Sequence, residues 1–316
     1  MKRLLIQEKQ WWRYVDQFRR MAATPWEMLP ADARTLDSLI SSADALLALT
    51  LPSNALANAA NLKLLLYPGA GVSHESPSEL PDGCALVNCF EHETPIAEYV
   101  MMAILMHATG VREKAAAFSE GRWIGSGRIG GEPHAEIEGR TLGLIGYGHI
   151  GRAVAHRAEA FGMRVLSMGS SQPDRLSRIL AGSDFIVIAC PLTSRTRSLI
   201  GAEEFRQMKP AACLVNVSRA EIVEEAPLYE ALRTRQIAGA VLDVWYQYPD
   251  AESQPGRGSS MPFHELPNVL ATPHMSAWTD GLIERRIARM CESLDQLSRG
   301  EPLDRVVLRG TWRAGA

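Results

Sequence analysis

The sequence predicts an α/β protein in which a doubly wound parallel sheet is joined to a smaller α/β unit. Short apolar runs rich in β-branched residues alternate with helical stretches from residue 139 to residue 274, and a glycine-rich turn follows the first run. Strands that are apolar throughout are buried on both faces, which is typical of a parallel sheet covered by helices. The predicted strands are Thr141–Ile145, Arg164–Met168, Phe185–Ala189, Cys213–Val217, Ala240–Asp243 and Val269–Thr272.

The N-terminal part of the chain has the pattern of the smaller unit, with weaker strand signals. A helix from Pro95 to about Thr109 is expected to connect it to the larger sheet. Past Thr279 the pattern is helical to about Arg299, and we expect this helix to pack back on the N-terminal unit. The weaker strand candidates are Arg3–Ile6, Ala45–Leu49, Lys63–Leu66 and Ala85–Val87.

The composition is typical of a soluble globular protein of two domains. The chain has 316 residues, of which 46% are hydrophobic and 22% charged. A net charge of -3 offers no bulk attraction to nucleic acid or to an anionic membrane. The apolar start Leu4-Leu5-Ile6 is too short for a signal peptide, and no apolar run is long enough to span a bilayer. We therefore expect a cytoplasmic protein.

The cysteines and acidic clusters do not have the spacing of a metal site. The five cysteines contain no CxxC pair and are odd in number, which indicates reduced thiols rather than disulfides or a zinc site. Glu91-His92-Glu93 contains metal-ligand types, but neighbours in an extended chain point to opposite sides. The sequence therefore predicts no bound metal.

The glycine-rich turn has the spacing of a Rossmann dinucleotide-binding fingerprint. It runs from Gly146 to Gly151, after a predicted strand and before a helical stretch that starts near Ile150. In this motif Gly146 permits the tight turn, Gly148 lets a pyrophosphate approach the backbone, and Gly151 lets helix and strand pack closely. The helix N-terminus offers free N–H groups and a positive dipole end to the phosphates. A glycine-rich turn without a ligand is the alternative.

The end of the second strand favours NADP over NAD. An acidic residue about 20 positions after the glycines would bind the ribose 2′-hydroxyl of NAD. Here the strand ends in Gly169-Ser170-Ser171, so no carboxylate repels a 2′-phosphate and two hydroxyls can donate to one. Arg175 lies close in sequence. NAD bound through its pyrophosphate and nicotinamide alone remains the alternative.

Polar residues at the carboxyl ends of the later strands suggest carbonyl reduction. Ligands of open α/β sheets bind beyond these ends, and Arg219, Asp243 and His274 each follow one of the strands. Arginine can clamp a carboxylate, and histidine can protonate a carbonyl oxygen during hydride transfer. Asp243 can accept from the carboxamide of the nicotinamide. For each residue alone, a solvated ion pair or a structural histidine is the alternative.

At this point the chain resembles the D-isomer-specific 2-hydroxyacid dehydrogenases, the family that includes phosphoglycerate, glyoxylate/hydroxypyruvate and formate dehydrogenases. The resemblance runs from about Leu62 to Thr279. The segments that carry it are Pro68-Gly69-Ala70-Gly71-Val72, Ile96-Ala97-Glu98, Gly139 to Gly151, Cys190-Pro191-Leu192-Thr193, Asn216-Val217-Ser218-Arg219, Gly239 to Asp243, and Pro273-His274.

The resemblance implies a Rossmann domain inserted into a smaller, flavodoxin-like α/β substrate domain, and a homodimer formed through the cofactor domain. We place the substrate domain at residues 1–97 plus 280–316 and the dinucleotide-binding domain at 98–279. By motif match, Arg219 would bind the substrate and His274 would be the acid/base. The backbone of Ala70, Gly71 and Val72 would hold the substrate carboxylate. The implied cofactor-lining residues are His149, Ile150, Cys190, Pro191, Val217, Asp243 and Ser276.

Three positions depart from the family pattern. Gly169 stands where NAD-dependent members have aspartate, and Ala220 stands where glycine follows the arginine. Tyr248, directly before Pro249, stands where the family has the glutamate that pairs with the histidine. Because tyrosine is neutral near pH 7, it cannot raise the pKa of His274 as a carboxylate would, although its phenol can still hold the ring through one hydrogen bond. Alternatively, Tyr248 points elsewhere and another acid substitutes.

The sequence thus predicts an NADP- or NAD-dependent reductase of a small 2-oxo acid, with an acid-shifted pH optimum. Two other functions remain open at this stage, and both depend on Tyr248. One is a cofactor-sensing binding protein with little turnover, and the other is oxidation of formate.

Overall fold

The structure is a computed structural model that describes residues 1–49, 58–71, 80–249 and 256–311. Backbone contacts divide the chain into two units. Unit 1 comprises Met1–Glu91 and Thr279–Ala316, and unit 2 comprises His92–Trp278. In the described ranges, the strands are β1 Lys2–Ile6, β2 Trp26–Pro30, β3 Ala45–Leu47, β4 Leu64–Tyr67, β5 Ala85–Asn88, β6 Thr141–Ile145, β7 Arg164–Met168, β8 Phe185–Ile188, β9 Cys213–Asn216, β10 Gly239–Leu242, β11 Val269–Ala271 and β12 Val306–Arg309.

The α-helices alternate with these strands along most of the chain. In chain order they are α1 Lys9–Trp12, α2 Val15–Met21, α3 Ala33–Leu39, α4 Glu93–Thr109, α5 Val111–Ser119, α6 His149–Ala160, α7 Leu176–Gly182, α8 Ala202–Gln207, α9 Glu225–Arg233 and α10 Asp280–Arg299. None of the helices in the described ranges is long and apolar enough to cross a membrane.

Unit 1 is built on a six-stranded sheet with a flavodoxin-like strand order. The order is β2-β1-β3-β4-β5, all parallel, and β12 joins antiparallel to β5 at the edge. Apolar side chains cover both faces, with Trp11 and Phe18 in the core on one side and Leu36 and Ile40 on the other. This sheet confirms the predicted flavodoxin-like class.

Helix α10 packs on unit 1, as the sequence predicts. Thr279 caps its first turn by accepting a hydrogen bond from the Leu282 N–H at 3.2 Å. Ile283, Ile287 and Met290 recur at helical spacing and join the core that contains Phe18. Since α10 lies after unit 2 in the chain, unit 1 is assembled from both chain ends.

Unit 2 is built on a six-stranded sheet in which every strand pair is parallel. The order is β7-β6-β8-β9-β10-β11, so the chain reverses its direction of winding between β6 and β8. In such sheets, ligands bind beyond the carboxyl ends of the strands at this switch point. All six predicted strands are confirmed. Four of them end one residue earlier than predicted, so that Ala189, Val217, Asp243 and Thr272 each directly follow a strand.

Two strands of unit 1, β2 and β12, have no counterpart in the sequence prediction. Strand β2 reads Trp-Glu-Met-Leu-Pro and ends in a proline, which is tolerated because β2 is an edge strand. Strand β12 has only four residues, none of them fully buried, and lies at the other edge. Both strands alternate more and less buried positions instead of forming a continuous apolar run, so their sequence pattern is weak.

Candidate active site

Of the three glycines in the turn between β6 and α6, only Gly148 has room for a side chain or a ligand beside its Cα. Gly146 has a φ of 106°, which favours glycine, and a Cβ there would overlap the backbone of Ala189 and Cys190. A Cβ at Gly151 would overlap the carbonyl oxygen of Gly146. At Gly148, in contrast, a Cβ would meet no atom within 4 Å. The turn is therefore tight where strand and helix pack, and open where a phosphate group would approach.

The N-terminus of α6 lies directly after this open position. Gly148 is the N-cap residue, and its carbonyl accepts from the Arg152 N–H at 3.0 Å. The first amides of an α-helix point outward along its axis. His149 is exposed and Ile150 is half-buried. These amides, with the helix dipole, suit an anionic group, so the residues present fit the pyrophosphate of a dinucleotide.

The segment after β7 forms an exposed polar turn. The Gln172 N–H donates to the Gly169 carbonyl at 3.1 Å, and Ser170 and Ser171 at the centre of the turn are exposed. The Arg175 guanidinium donates to the Ser167 carbonyl at 3.4 Å, which brings it back over the end of β7. Two hydroxyls and one cation therefore lie where a ribose 2′-substituent is expected.

The loop after β8 contacts the loop after β9. The Ser218 hydroxyl donates to the carbonyl of Cys190. Cys190 is buried, and burial raises the pKa of its thiol to about 11, so it is a neutral, apolar group at neutral pH. Pro191 is exposed, and Val217 is buried. The Cys190 backbone also lies beside the glycine turn, since a Cβ at Gly146 would overlap it.

Arg219 lies on a turn that the side chain of Asn216 organises. Asn216 is buried, donates to the Arg219 carbonyl at 3.0 Å and accepts from the Ser218 N–H at 3.1 Å. The Arg219 side chain is exposed, and its guanidinium donates to the Ser218 carbonyl at 2.8 Å. The sequence alone does not indicate this role for Asn216. An asparagine at the end of an apolar strand is nevertheless a signal of a turn in which its side chain bonds to the backbone that follows.

Asp243 holds the turn that carries His274. Its carboxylate has no solvent exposure and accepts from the Thr272 hydroxyl at 2.6 Å, the Met275 N–H at 2.9 Å and the Ser276 N–H at 2.8 Å. His274 itself has a φ of 56°, a left-handed conformation that costs free energy in a non-glycine residue. The buried carboxylate offsets this cost by fixing the residues on both sides of the histidine.

Tyr248 contacts the histidine directly. Its hydroxyl oxygen lies 2.7 Å from Nδ1 of His274 and accepts from the Trp245 N–H at 3.2 Å. Both Tyr248 and His274 keep exposed surface. The Trp245 indole N–H donates to the Thr272 carbonyl at 2.8 Å, which ties the loop of Tyr248 to the turn of His274.

The surroundings of His274 favour its neutral form. Partial desolvation by neighbouring atoms lowers the pKa of the imidazole, and the Arg219 guanidinium lowers it further, whereas Asp243 acts in the opposite direction. Desolvation also raises the pKa of the Tyr248 phenol, so the phenol keeps its proton at neutral pH. The influence of Arg219 on both groups shows that these three side chains share one region of unit 2.

The turn after β4 in unit 1 contains the other predicted binding residues. The Asn88 side chain, buried at the end of β5, donates to the Ala70 carbonyl at 2.7 Å, and the Cys89 N–H donates to the Gly69 carbonyl at 3.0 Å. Gly69 and Ala70 are thus held on a defined turn, whereas Gly71 is exposed and Val72 lies outside the described residues.

The chain matches the family model described as D-isomer specific 2-hydroxyacid dehydrogenase, NAD binding domain, over residues 101–276. It belongs to this family. The match covers β6 to β11, and therefore the sheet, the glycine turn and the His274 turn of unit 2.

Two curated members of the family are similar in sequence. A D-3-phosphoglycerate dehydrogenase of Methanocaldococcus jannaschii is 32% identical over 263 residues, which are 79% of this chain and 48% of that protein. A glyoxylate reductase of Korarchaeum cryptofilum is 34% identical over 220 residues, 65% of this chain and 63% of that protein. The chain thus spans about half to two thirds of the length of these relatives.

A solved structure of the family has the same fold. The D-isomer specific 2-hydroxyacid dehydrogenase family protein from Aeromonas salmonicida subsp. salmonicida aligns with a TM-score of 0.80 at 28% identity, over 97% of this chain and 98% of that one.

In this dehydrogenase-family chain, several supporting residues are not evident from the sequence. Asn216, Thr272 and Trp245 position the Arg219 and His274 turns through hydrogen bonds that depend on the folded geometry. Glu91 belongs to the Glu91-His92-Glu93 segment, whose residues are of types that bind metals. Its carboxylate forms an ion pair with Arg289 at 2.9 Å. In the part of the chain that the structure describes, no three His, Cys, Asp or Glu side chains are grouped to hold a metal.

Proposed function

We propose that this protein transfers a hydride between a nicotinamide dinucleotide and a 2-oxo or 2-hydroxy acid. Membership of the D-isomer specific 2-hydroxyacid dehydrogenase family supports this activity, as does the similarity to a glyoxylate reductase. The glycine turn fits a pyrophosphate, and its open position at Gly148 suits the close approach of a phosphate.

The observation that carries the proposal is the edge of the unit 2 sheet. Because all its strands are parallel, the glycine turn, Arg219 and His274 all follow carboxyl ends on the same edge. Arg219 would bind the substrate carboxylate, because an exposed guanidinium offers two parallel N–H donors. His274 would give a proton to the carbonyl oxygen in reduction and take it back in oxidation. The bound cofactor would supply the hydride.

Asp243 would act through the histidine turn rather than on the cofactor carboxamide. Its carboxylate is fully buried and already accepts three hydrogen bonds. Tyr248 would orient His274 through the bond to Nδ1. Ala70, Gly71 and Val72 remain the proposed backbone contacts to the substrate carboxylate. The proposed cofactor-lining residues are Gly146, Gly148, His149, Ile150, Gly151, Ser170, Ser171, Cys190, Pro191, Val217 and Ser276.

We favour NADP over NAD as the cofactor. Gly169 offers no carboxylate at the end of β7, and the exposed hydroxyls of Ser170 and Ser171 can donate to a 2′-phosphate. Arg175, which already reaches back to the Ser167 carbonyl, would add a positive charge there. Each of these features also tolerates the 2′-hydroxyl of NAD, so the expected difference is one of affinity.

The proposed working form is a cytoplasmic homodimer. Exposed apolar side chains occur in and after α5, where Phe118, Trp123 and Ile129 keep 60%, 58% and 62% of their surface exposed. Large exposed apolar side chains close together are typical of an interaction surface. All five cysteines are buried thiols without disulfides, in keeping with a reducing compartment.

A spectrophotometric screen of the full chain tests the proposal. NADPH and NADH are each offered with glyoxylate, hydroxypyruvate, pyruvate and bulkier 2-oxo acids, and oxidation of the reduced cofactor is followed. We expect turnover with at least one 2-oxo acid and a higher kcat/KM with NADPH. Tight cofactor binding without turnover on any of these acids would instead indicate a cofactor-sensing protein, the alternative that the lowered pKa of His274 favours.

The matched variants Arg219→Lys and Arg233→Lys test the assignment of the carboxylate site. Lysine keeps the charge but loses the two-pronged hydrogen bond, so kcat/KM of Arg219→Lys should fall about 10- to 100-fold. Arg233 pairs with Glu230 on the exposed surface of α9, and its substitution should leave kcat/KM unchanged. Equal kinetics for both variants would exclude Arg219 as the carboxylate site.

A further inference from the structure

The hydroxyl of Tyr248 has two neighbours and only one proton to share between them. It lies 3.2 Å from the Trp245 backbone nitrogen and 2.7 Å from Nδ1 of His274. A backbone N–H can only donate, so the phenolic oxygen is the acceptor in the first contact. The phenolic proton is therefore free to point at Nδ1 in the second.

The protonation states of the pair favour the same arrangement. A neutral imidazole has one nitrogen that donates and one that accepts. Phenol is the stronger hydrogen-bond donor of the two groups, and an imidazole nitrogen is the stronger acceptor, as their ordinary pKa values of about 10 and 6.5 indicate. Desolvation keeps the phenol protonated and the imidazole neutral at neutral pH.

The loop that carries Tyr248 is anchored, so the geometry does not depend on this contact alone. The Tyr246 and Gln247 N–H groups both donate to the Gly258 carbonyl at 3.0 Å. The Tyr246 hydroxyl donates to the Val223 carbonyl at 2.8 Å, and the Trp245 indole donates to the Thr272 carbonyl at 2.8 Å. These bonds hold the Trp245 N–H in place as a fixed donor.

We propose that Tyr248 fixes neutral His274 in the tautomer that has its proton on Nε2. The phenol accepts from Trp245, donates to Nδ1, and so leaves the Nε2–H of the ring as the donor. A glutamate at the same position would do the opposite, because a carboxylate accepts only and would require a proton on Nδ1. Tyr248 is thus a positioning residue that selects which nitrogen of His274 can donate.

This tautomer changes what His274 offers a substrate, an inference that rests on the proposed function. In the Nε2–H form, the neutral ring still donates a hydrogen bond to a 2-oxo group. Binding of the acid should therefore persist at a pH where proton transfer from the imidazolium has declined. Arg219 and Asp243 influence the titration of the ring, and Glu221 that of the phenol, but none of these three is hydrogen-bonded to the ring.

Nitrogen-15 NMR of the full chain measures the tautomer without any turnover. The His274 ring is assigned by difference against His274→Asn among the 8 histidines, and spectra are taken well above its pKa. We expect Nδ1 to have the shift of an unprotonated nitrogen and Nε2 that of a protonated one. A protonated Nδ1 in the neutral ring would overturn the inference.

Two variants sharpen this test, and amide spectra verify that each is folded. In Tyr248→Glu the neutral ring should have its proton on Nδ1 instead of Nε2. In Tyr248→Phe both tautomers should be populated. The KM for a 2-oxo acid should stay nearly constant between pH 6 and pH 8 in the wild type, because Nε2–H of the neutral ring still donates to the 2-oxo group. In Tyr248→Glu this hydrogen bond is lost when the ring becomes neutral, so the KM should rise about 3- to 10-fold over the same range. The same nitrogen shifts in the wild type and in Tyr248→Glu would overturn the inference. The expected shifts without 2-oxo acid reduction would support it while refuting the proposed function.

Discussion

At the residue scale, His274 is paired with the phenol of Tyr248 and not with a carboxylate. A buried carboxylate, Asp243, is present, but it accepts from Thr272, Met275 and Ser276 and leaves the ring to the phenol. The pKa of His274 is lowered chiefly by desolvation; Asp243 opposes this shift, and Arg219 adds to it. The cost of this arrangement is a smaller imidazolium population at neutral pH.

The pH dependence of reduction follows from this lowered pKa. Reduction requires the imidazolium, so kcat/KM should be highest below the folded-state pKa and fall as the pH rises through it, at a pH below the ordinary 6.5. Tyr248→Glu places a negative charge beside the ring, which stabilises the imidazolium. The fall of kcat/KM should therefore occur about one pH unit higher in this variant.

The neutral variant Tyr248→Gln is the control for this experiment. It retains a hydrogen-bonding group without adding charge, so its kcat/KM should fall at nearly the same pH as that of the wild type. An unchanged profile in Tyr248→Glu, or an optimum above pH 8 in the wild type, would contradict this account of His274.

At the element scale, the junction of β6 and α6 combines two requirements in one turn. Gly146 and Gly151 are needed for the packing of strand and helix, because a side chain at either would overlap backbone atoms. Gly148 has no such neighbour and an ordinary φ of -83°. The fold therefore depends on the first and last glycines, whereas the middle one is free to serve a ligand.

The substitutions Gly148→Ala and Gly151→Ala should separate these two roles. Gly151→Ala should lower the free energy of unfolding by about 1–3 kcal/mol, since its methyl group collides with the Gly146 carbonyl. Gly148→Ala should leave the free energy of unfolding nearly unchanged but weaken NADPH binding at least tenfold. Chemical denaturation and calorimetric titration measure the two effects, and unimpaired binding by Gly148→Ala would refute a phosphate site at this turn.

The sequence predicts the elements of unit 2 better than those of unit 1. Strands β6, β8, β9 and β10 lie inside the sheet and are largely apolar because helices cover both faces, and this pattern is visible in sequence. Strands β2 and β12 alternate more and less buried positions, so their sequences contain no continuous apolar run. Similarly, Arg219 and His274 are evident as polar residues after strands, but the donor role of the Trp245 N–H arises only from the folded loop.

At the scale of the whole molecule, one continuous stretch of chain contains the glycine turn and the proposed acid. Unit 2 begins at His92 and ends at Trp278, and within it the parallel sheet brings the ends of six strands to one edge. The glycine turn, Arg219 and His274 therefore all belong to unit 2, and the proposed chemistry is placed within a single unit.

Transfer of deuterium from the cofactor to the substrate tests the proposed activity most directly. The full chain is incubated with glyoxylate and with NADPH deuterated at C4 of the nicotinamide, each C4 epimer in turn, and the product is analysed by mass spectrometry. We predict glycolate that contains one deuterium at C2 with one epimer only, and a rate about 10²- to 10⁴-fold lower for His274→Asn. Unlabelled product with both epimers, or no hydroxy acid from glyoxylate or any other 2-oxo acid tested, would contradict hydride transfer by this protein.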